Sequence, residues 1–173
     1  MTIPPRLIRV VLISGMIAGA LCSRWDWVMV ITGWYKDVSM SNAALLFIPL
    51  LLLGLLLGLR RTSREGLRFR GQVLAGVVMA MVAALVIAVN VLGMTGAVVP
   101  SYFADQQEVH RQILRQAGKT DAEIAAALAA HPVMSAGQHA RSALMAVTVM
   151  GSVGSALLSV FVRSRGKEME LRV

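Results

Sequence analysis

The chain holds a single cysteine, Cys22, which excludes an intrachain disulfide and a cysteine-based metal cluster. Charge is scarce as well. Only 15% of its 173 residues are charged, against about 25% in an ordinary soluble domain. Acids are fewest, nine in all, and the net charge is +8. A basic soluble nucleic-acid binder would not carry 57% hydrophobic residues and a mean hydropathy of +0.69. No nucleic-acid-binding motif accompanies the charge either, so no nucleic-acid partner is expected. Enzyme signatures are missing too. There is no nucleophile with an adjacent base, no glycine-rich phosphate loop after a strand and no carboxylate pair within an apolar run. The expectation is a protein without catalytic activity or a cofactor.

What the sequence does have is long uncharged stretches. They cover residues 7–23 (interrupted by Arg9), 40–59, 71–99 and 142–162. Crossing a hydrocarbon core of ~30 Å takes about 20 helical residues. Only helices or closed barrels satisfy every backbone polar group in lipid. These runs are continuous rather than alternating and rich in Leu, Ala and Met, which selects helices. The fold class expected is therefore all-α: one integral membrane four-helix bundle spanning residues 1–173. The first stretch also reads as a signal peptide, with Ala18-Gly19-Ala20 as an A-x-A cleavage site. A retained helix is favoured by Gly15 and Gly19, a small-xxx-small pair suited to close packing. Gly54 with Gly58, and Gly151 with Ser155, are equivalent pairs, open to packing within the bundle or to self-association. Pro49 falls midway along the second run and should kink it.

Residues 24–38, RWDWVMVITGWYKDV, carry four of the nine aromatics. Trp and Tyr favour the headgroup level, so this stretch is expected at the interface, leading into the second helix. Residues 100–141 are the main polar excursion. Gly118 is placed to end one helix, Thr120-Asp121-Ala122-Glu123 matches a capping box, and Pro132 is placed to end the next helix. A helical hairpin outside the bilayer is expected there. His110, His131 and His139 lie in this region without the spacing of a metal site.

Positive charge is distributed unevenly. Arg60, Arg61, Arg64, Arg68 and Arg70 fall within eleven positions, directly after an apolar run. Four spanning helices put them on the same side as both termini. That side holds eleven basic residues against Glu65, Glu168 and Glu170, whereas the opposite side holds six basic residues and six acids. The positive-inside rule makes the first side cytoplasmic. The five arginines are expected to fix topology and to contact membrane lipids, anionic ones included, or an acidic protein partner. Asn90, inside the third helix, is expected to bridge helices or line a pathway. Asp, Glu and His are missing from the middle of every run, which argues against an ion-coupled transporter.

The motif Gly58-Leu59-Arg60-Arg61, with Arg64, Gly66 and Leu67-Arg68-Phe69, leads into the third helix at Gly76. Together with Gln116-Ala117-Gly118-Lys119-Thr120-Asp121-Ala122-Glu123-Ile124 and a last helix ending at Arg163 and Arg165, it resembles the bacterial family called domain of unknown function number 4199. The family usually has Phe-Gly where this chain has Phe69-Arg70, and its glycine-rich turn is reduced here to Gly66. The resemblance implies a four-helix protein of the bacterial inner (plasma) membrane with an extracytoplasmic helical insertion. It carries over no active-site residues. The expected role is a non-enzymatic membrane protein acting through its outer hairpin or basic cytoplasmic face. The alternative is a small transport or channel component working as an oligomer.

Overall fold

The computed structural model describes residues 4–130 and 133–170, apart from the side chains of Ser41 and of residues 163–170. His131 and Pro132, and with Pro132 the expected stop of the second insertion helix, lie outside the described residues. The chain is 88% helix, with no strand among the described residues. Helix α1 spans Pro5–Ile31, α2 Phe47–Arg64, α3 Phe69–Gly93, α4 Tyr102–Gln116, α5 Asp121–Ala130 and α6 Ala136–Glu170. Two 3-10 segments, Trp34–Lys36 and Val38–Leu46, connect α1 to α2, and a π turn, Met94–Val98, extends α3. Four spans are long and apolar enough to cross a membrane: Pro5–Ile31, Val38–Arg64, Phe69–Val98 and Ala136–Val162.

Helix α3 is the centre of the bundle, packed against α1, α2 and α6. Its buried face is mostly small residues, Ala75, Gly76, Ala80, Ala83, Ala84 and Ala88, with Gln72, Met79, Ile87 and Val91 interspersed. Its exposed face carries Leu74, Met81, Leu85, Val89 and Leu92. Helix α6 repeats the scheme, presenting Met145, Val149, Val153, Leu157 and Phe161 outward. In water this arrangement would waste the hydrophobic effect. In lipid, tails solvate large apolar side chains as well as a core does, and helices gain by bringing backbones close. Small-inside, large-outside is thus the packing expected of helices in a bilayer.

Glycines set the close approaches. A methyl carbon added at Gly15 would lie 2.7 Å from the Met79 carbonyl oxygen, and one at Gly19 would lie 2.8 Å from that of Ala83. At Gly54 it would meet Ala18 and at Gly58 both Ser14 and Met79. Gly76 faces Ser155, and Gly151 faces Ala80. These pairings run α1 parallel to α3 and antiparallel to α2, with α6 antiparallel to α3. The small faces are therefore occupied within one chain.

The helix limits depart from the sequence expectation, each for a physical reason. The first helix, expected over 7–23, runs on to Ile31, because Arg24 and Asp26 end the apolar run without ending the helix. The second, expected over 40–59, becomes 3-10 up to Leu46 and α only from Phe47 to Arg64. Pro49 consequently sits in the first turn of α2, just after the 3-10 segment, and not midway along an α-helix as expected. The third, expected over 71–99, begins at Phe69 and changes to a π turn at Met94. The last, expected over 142–162, begins at Ala136. A capping box starts it: the Ser135 amide donates to Gln138 Oε1 at 2.8 Å and the Gln138 amide to Ser135 Oγ at 3.2 Å. The polar segment shortens accordingly from the expected 100–141.

Two glycines close helices, Gly118 as the sequence suggests and Gly66 as well. Gly66 (φ 83°) and Gly118 (φ 75°) adopt the left-handed conformation. The amides that follow reach back, Leu67 to Thr62 O at 3.4 Å and Lys119 to Leu114 O at 3.1 Å. This is the Schellman arrangement, which any residue with a Cβ would strain.

Candidate functional site

The bundle has two chemically distinct ends. At one end lie the last turns of α2, the α2–α3 turn and the start of α3, which together carry the five arginines. All five are exposed, and none takes part in an ion pair among the described residues. Glu65, in the same turn, is instead paired with Arg6 at 3.3 Å, tying the start of α1 to the end of α2.

The opposite end is built by α4 docking on the α1–α2 connection. Asp105 Oδ2 accepts three bonds: from Tyr35 Oη at 3.0 Å, from Ser101 Oγ at 3.0 Å and from Lys36 Nζ at 3.0 Å. Gln106, the next residue, donates to the Tyr35 carbonyl at 2.9 Å. Burial pushes the Asp105 carboxyl up, but its bonds from Lys36, Ser101 and Tyr35 outweigh this and hold it below its ordinary value. The Tyr35 and Tyr102 rings stack with centroids 5.1 Å apart. Sequence reading missed this clamp, since its partners lie 70 and 71 positions apart.

Two tryptophans of the aromatic stretch bond within the protein. The Trp25 indole donates to Ala43 O at 3.0 Å, and that of Trp27 donates to Asn90 Oδ1 at 2.9 Å. Both indole N–H groups therefore have acceptors within the protein. Asn90 also donates to Asp26 Oδ2 at 3.4 Å. It therefore joins α3 to α1. The extension of α1 brings Asp26 inside a candidate span, near its far end, so that run is not free of carboxylates as the sequence limits implied.

A cavity of about 210 Å³ opens beside this network, lined by Asp26, Tyr35, Tyr102, Gln106 and His110 with apolar neighbours. A second, of about 250 Å³, lies across α4 and shares Tyr102, Gln106 and His110. These three recur every four residues and form one face of the helix. His139 closes the second cavity, its ring centroid 5.4 Å from that of Phe103.

Beyond α4 the chain turns at Gly118 into α5. The Thr120 amide donates to Glu123 Oε2 at 2.9 Å, and the Glu123 amide to Thr120 Oγ1 at 3.3 Å, completing the expected box. The Thr120 amide, with Lys119 and the Thr120 hydroxyl, holds the Glu123 carboxyl down at about 2. Ile124 is buried and Leu128 half-buried.

Residues 14–164, which include both ends of the bundle, match the model of a family described as protein of unknown function (DUF4199). The chain belongs to that family. No curated protein and no solved structure matches it. In this DUF4199 protein the residues singled out from sequence fall into three places. Arg60, Arg61, Arg64, Arg68 and Arg70 cluster at one end. Gly15, Gly19, Gly54 and Gly58 line helix contacts in the middle. Asn90 lies at the other end, beside a cavity that no sequence motif announced.

Proposed function

We propose that this DUF4199 protein is a non-enzymatic, multi-pass protein of the bacterial inner membrane with both termini in the cytoplasm. Its arginine turn holds anionic lipid headgroups at the cytoplasmic face, and the α4–α5 segment faces outward and engages other membrane proteins. The observation that carries the reading is the exposure of all five arginines without a carboxylate partner among the described residues. Five clustered cations repel one another, and an anionic surface relieves that repulsion. Each basic residue near such a surface contributes on the order of 1 kcal/mol. The alternative, an oligomeric channel component, draws no support from Asn90 or the glycines: Asn90 bonds α1, and the glycine faces meet helices of the same chain.

The test is thermal unfolding of the full chain in nanodiscs. Phosphatidylglycerol should raise the midpoint relative to phosphatidylcholine. Replacing the five arginines by glutamine should remove most of that difference while leaving the midpoint in phosphatidylcholine unchanged. An equal lipid effect on both proteins would contradict the reading.

A further inference from the structure

We propose that the cavity between α1, the Tyr35 turn and α4 binds a small organic ammonium group, with Asp26 as its counter-charge. This site is independent of the arginine turn and lies at the other end of the bundle.

The lining dictates the sign of the ligand. Asp26 brings the carboxylate, and no Lys or Arg lines the cavity. Nearby cations are engaged elsewhere or turned away. Lys36 pairs with Asp105 at 3.0 Å, and Arg111 with Glu108. Arg24 is two residues from Asp26 on α1, about 200° around the helix, and is exposed. A carboxylate offers roughly four acceptor positions. Among the described residues, the one hydrogen bond to Asp26 is the 3.4 Å contact from Asn90, which leaves acceptor capacity toward the cavity.

The remaining walls suit an alkylated cation rather than a metal ion. Among the described residues no three His, Cys, Asp or Glu groups converge as metal ligands. Two tyrosines, Tyr35 and Tyr102, line the cavity; their rings stack on each other and the Lys36 ammonium lies 5.3 Å from the Tyr35 centroid, so this aromatic wall already accommodates a cation beside it. Met29 and Val109 add apolar surface for methyl or methylene groups. At about 210 Å³ the cavity is smaller than the roughly 300–1,000 Å³ of pockets for whole drug-sized ligands. It fits a headgroup-sized cation, and the adjoining cavity offers Val133 and Met134 to any apolar portion. His110, exposed and shared by both cavities, stands at the mouth.

An ammonium of this kind comes from a soluble amine or from a lipid headgroup such as phosphatidylethanolamine. The full chain in nanodiscs made only of phosphatidylglycerol is titrated with choline and with its neutral isostere 3,3-dimethyl-1-butanol, followed by thermal shift. Choline should give a saturable rise in the midpoint and the isostere none. Asp26→Asn should weaken choline by about 30-fold, the scale of losing one partner of a close charge pair. His110→Arg changes only an exposed mouth residue and should abolish the response even where Asp26→Asn fails to fold. Adding phosphatidylethanolamine to the nanodiscs should suppress the choline response if the lipid is the natural occupant and leave it intact if a soluble amine is. An equal response to the isostere, no response to millimolar choline, or wild-type affinity in His110→Arg would overturn the proposal.

Discussion

Gly19→Leu should unfold the bundle or leave it unable to close. A carbon at that position meets backbone and branched side chain at once, 2.8 Å from the Ala83 carbonyl oxygen and 2.8 Å from Val86 Cβ. Neither neighbour is a flexible side-chain end that could swing aside. Relief therefore requires α1 to move off α3, surrendering one of the largest helix contacts in the protein. Over-packing in a rigid core costs about 3 kcal/mol at its upper range, and the lost contact adds to this. Gly15 presents the same geometry one turn earlier, against the Met79 carbonyl oxygen. The check is a detergent-solubilised thermal midpoint. Gly19→Leu should fall far below wild type, whereas Gly96→Leu, where no atom lies within 4 Å of the added carbon, should change little. A Gly19→Leu protein that melts like wild type would mean that α1 does not lie on α3 as described.

Asn90→Leu is the second large effect. Asn90 accepts from the Trp27 indole at 2.9 Å and donates to Asp26 at 3.4 Å. Interhelical hydrogen bonds in membranes average only about 0.6 kcal/mol. The larger part of the cost comes from leaving the Trp27 N–H and the Asp26 carboxylate without the partner they share. An orphaned part-buried polar group costs about 1–3 kcal/mol. The expected loss is therefore about 2 kcal/mol, and it should be coupled to Trp27. In a double-mutant cycle of Asn90→Leu with Trp27→Phe, the combined loss should be smaller than the sum of the two. Strict additivity would show that the two side chains do not interact.

How far the sequence discloses these features depends on how local their causes are. The Gly118 stop and the Thr120–Glu123 box were legible because each is a backbone rule acting over a few residues. The Ser135–Gln138 box follows the same rule and could have been read. Hydropathy, however, starts the apolar run only after Arg141. Hydropathy measures where lipid begins, not where helical hydrogen bonding begins, and the same confusion shortened the first helix at Arg24 and misplaced Pro49. The alanine face of α3 was opaque for a different reason. Ala, Leu and Val all register as apolar, so their separation into an inner and an outer face is invisible to hydropathy. The Asp26–Asn90–Trp27 network and the Asp105 clamp join residues more than sixty positions apart. No spacing rule reaches across that distance. The cavity is a consequence of those contacts, and so was the least legible feature of all.

The most direct test of the whole account is which end of the bundle faces the cytoplasm. In a Cys22→Ala background, single cysteines are placed at Arg64 and at Lys119, both exposed, at opposite ends of the bundle. Intact cells with a permeable outer envelope are treated with a membrane-impermeant maleimide. The account predicts that Lys119→Cys is labelled at once and Arg64→Cys only after the inner membrane is opened. Labelling of both from outside, or of Arg64→Cys alone, would contradict it.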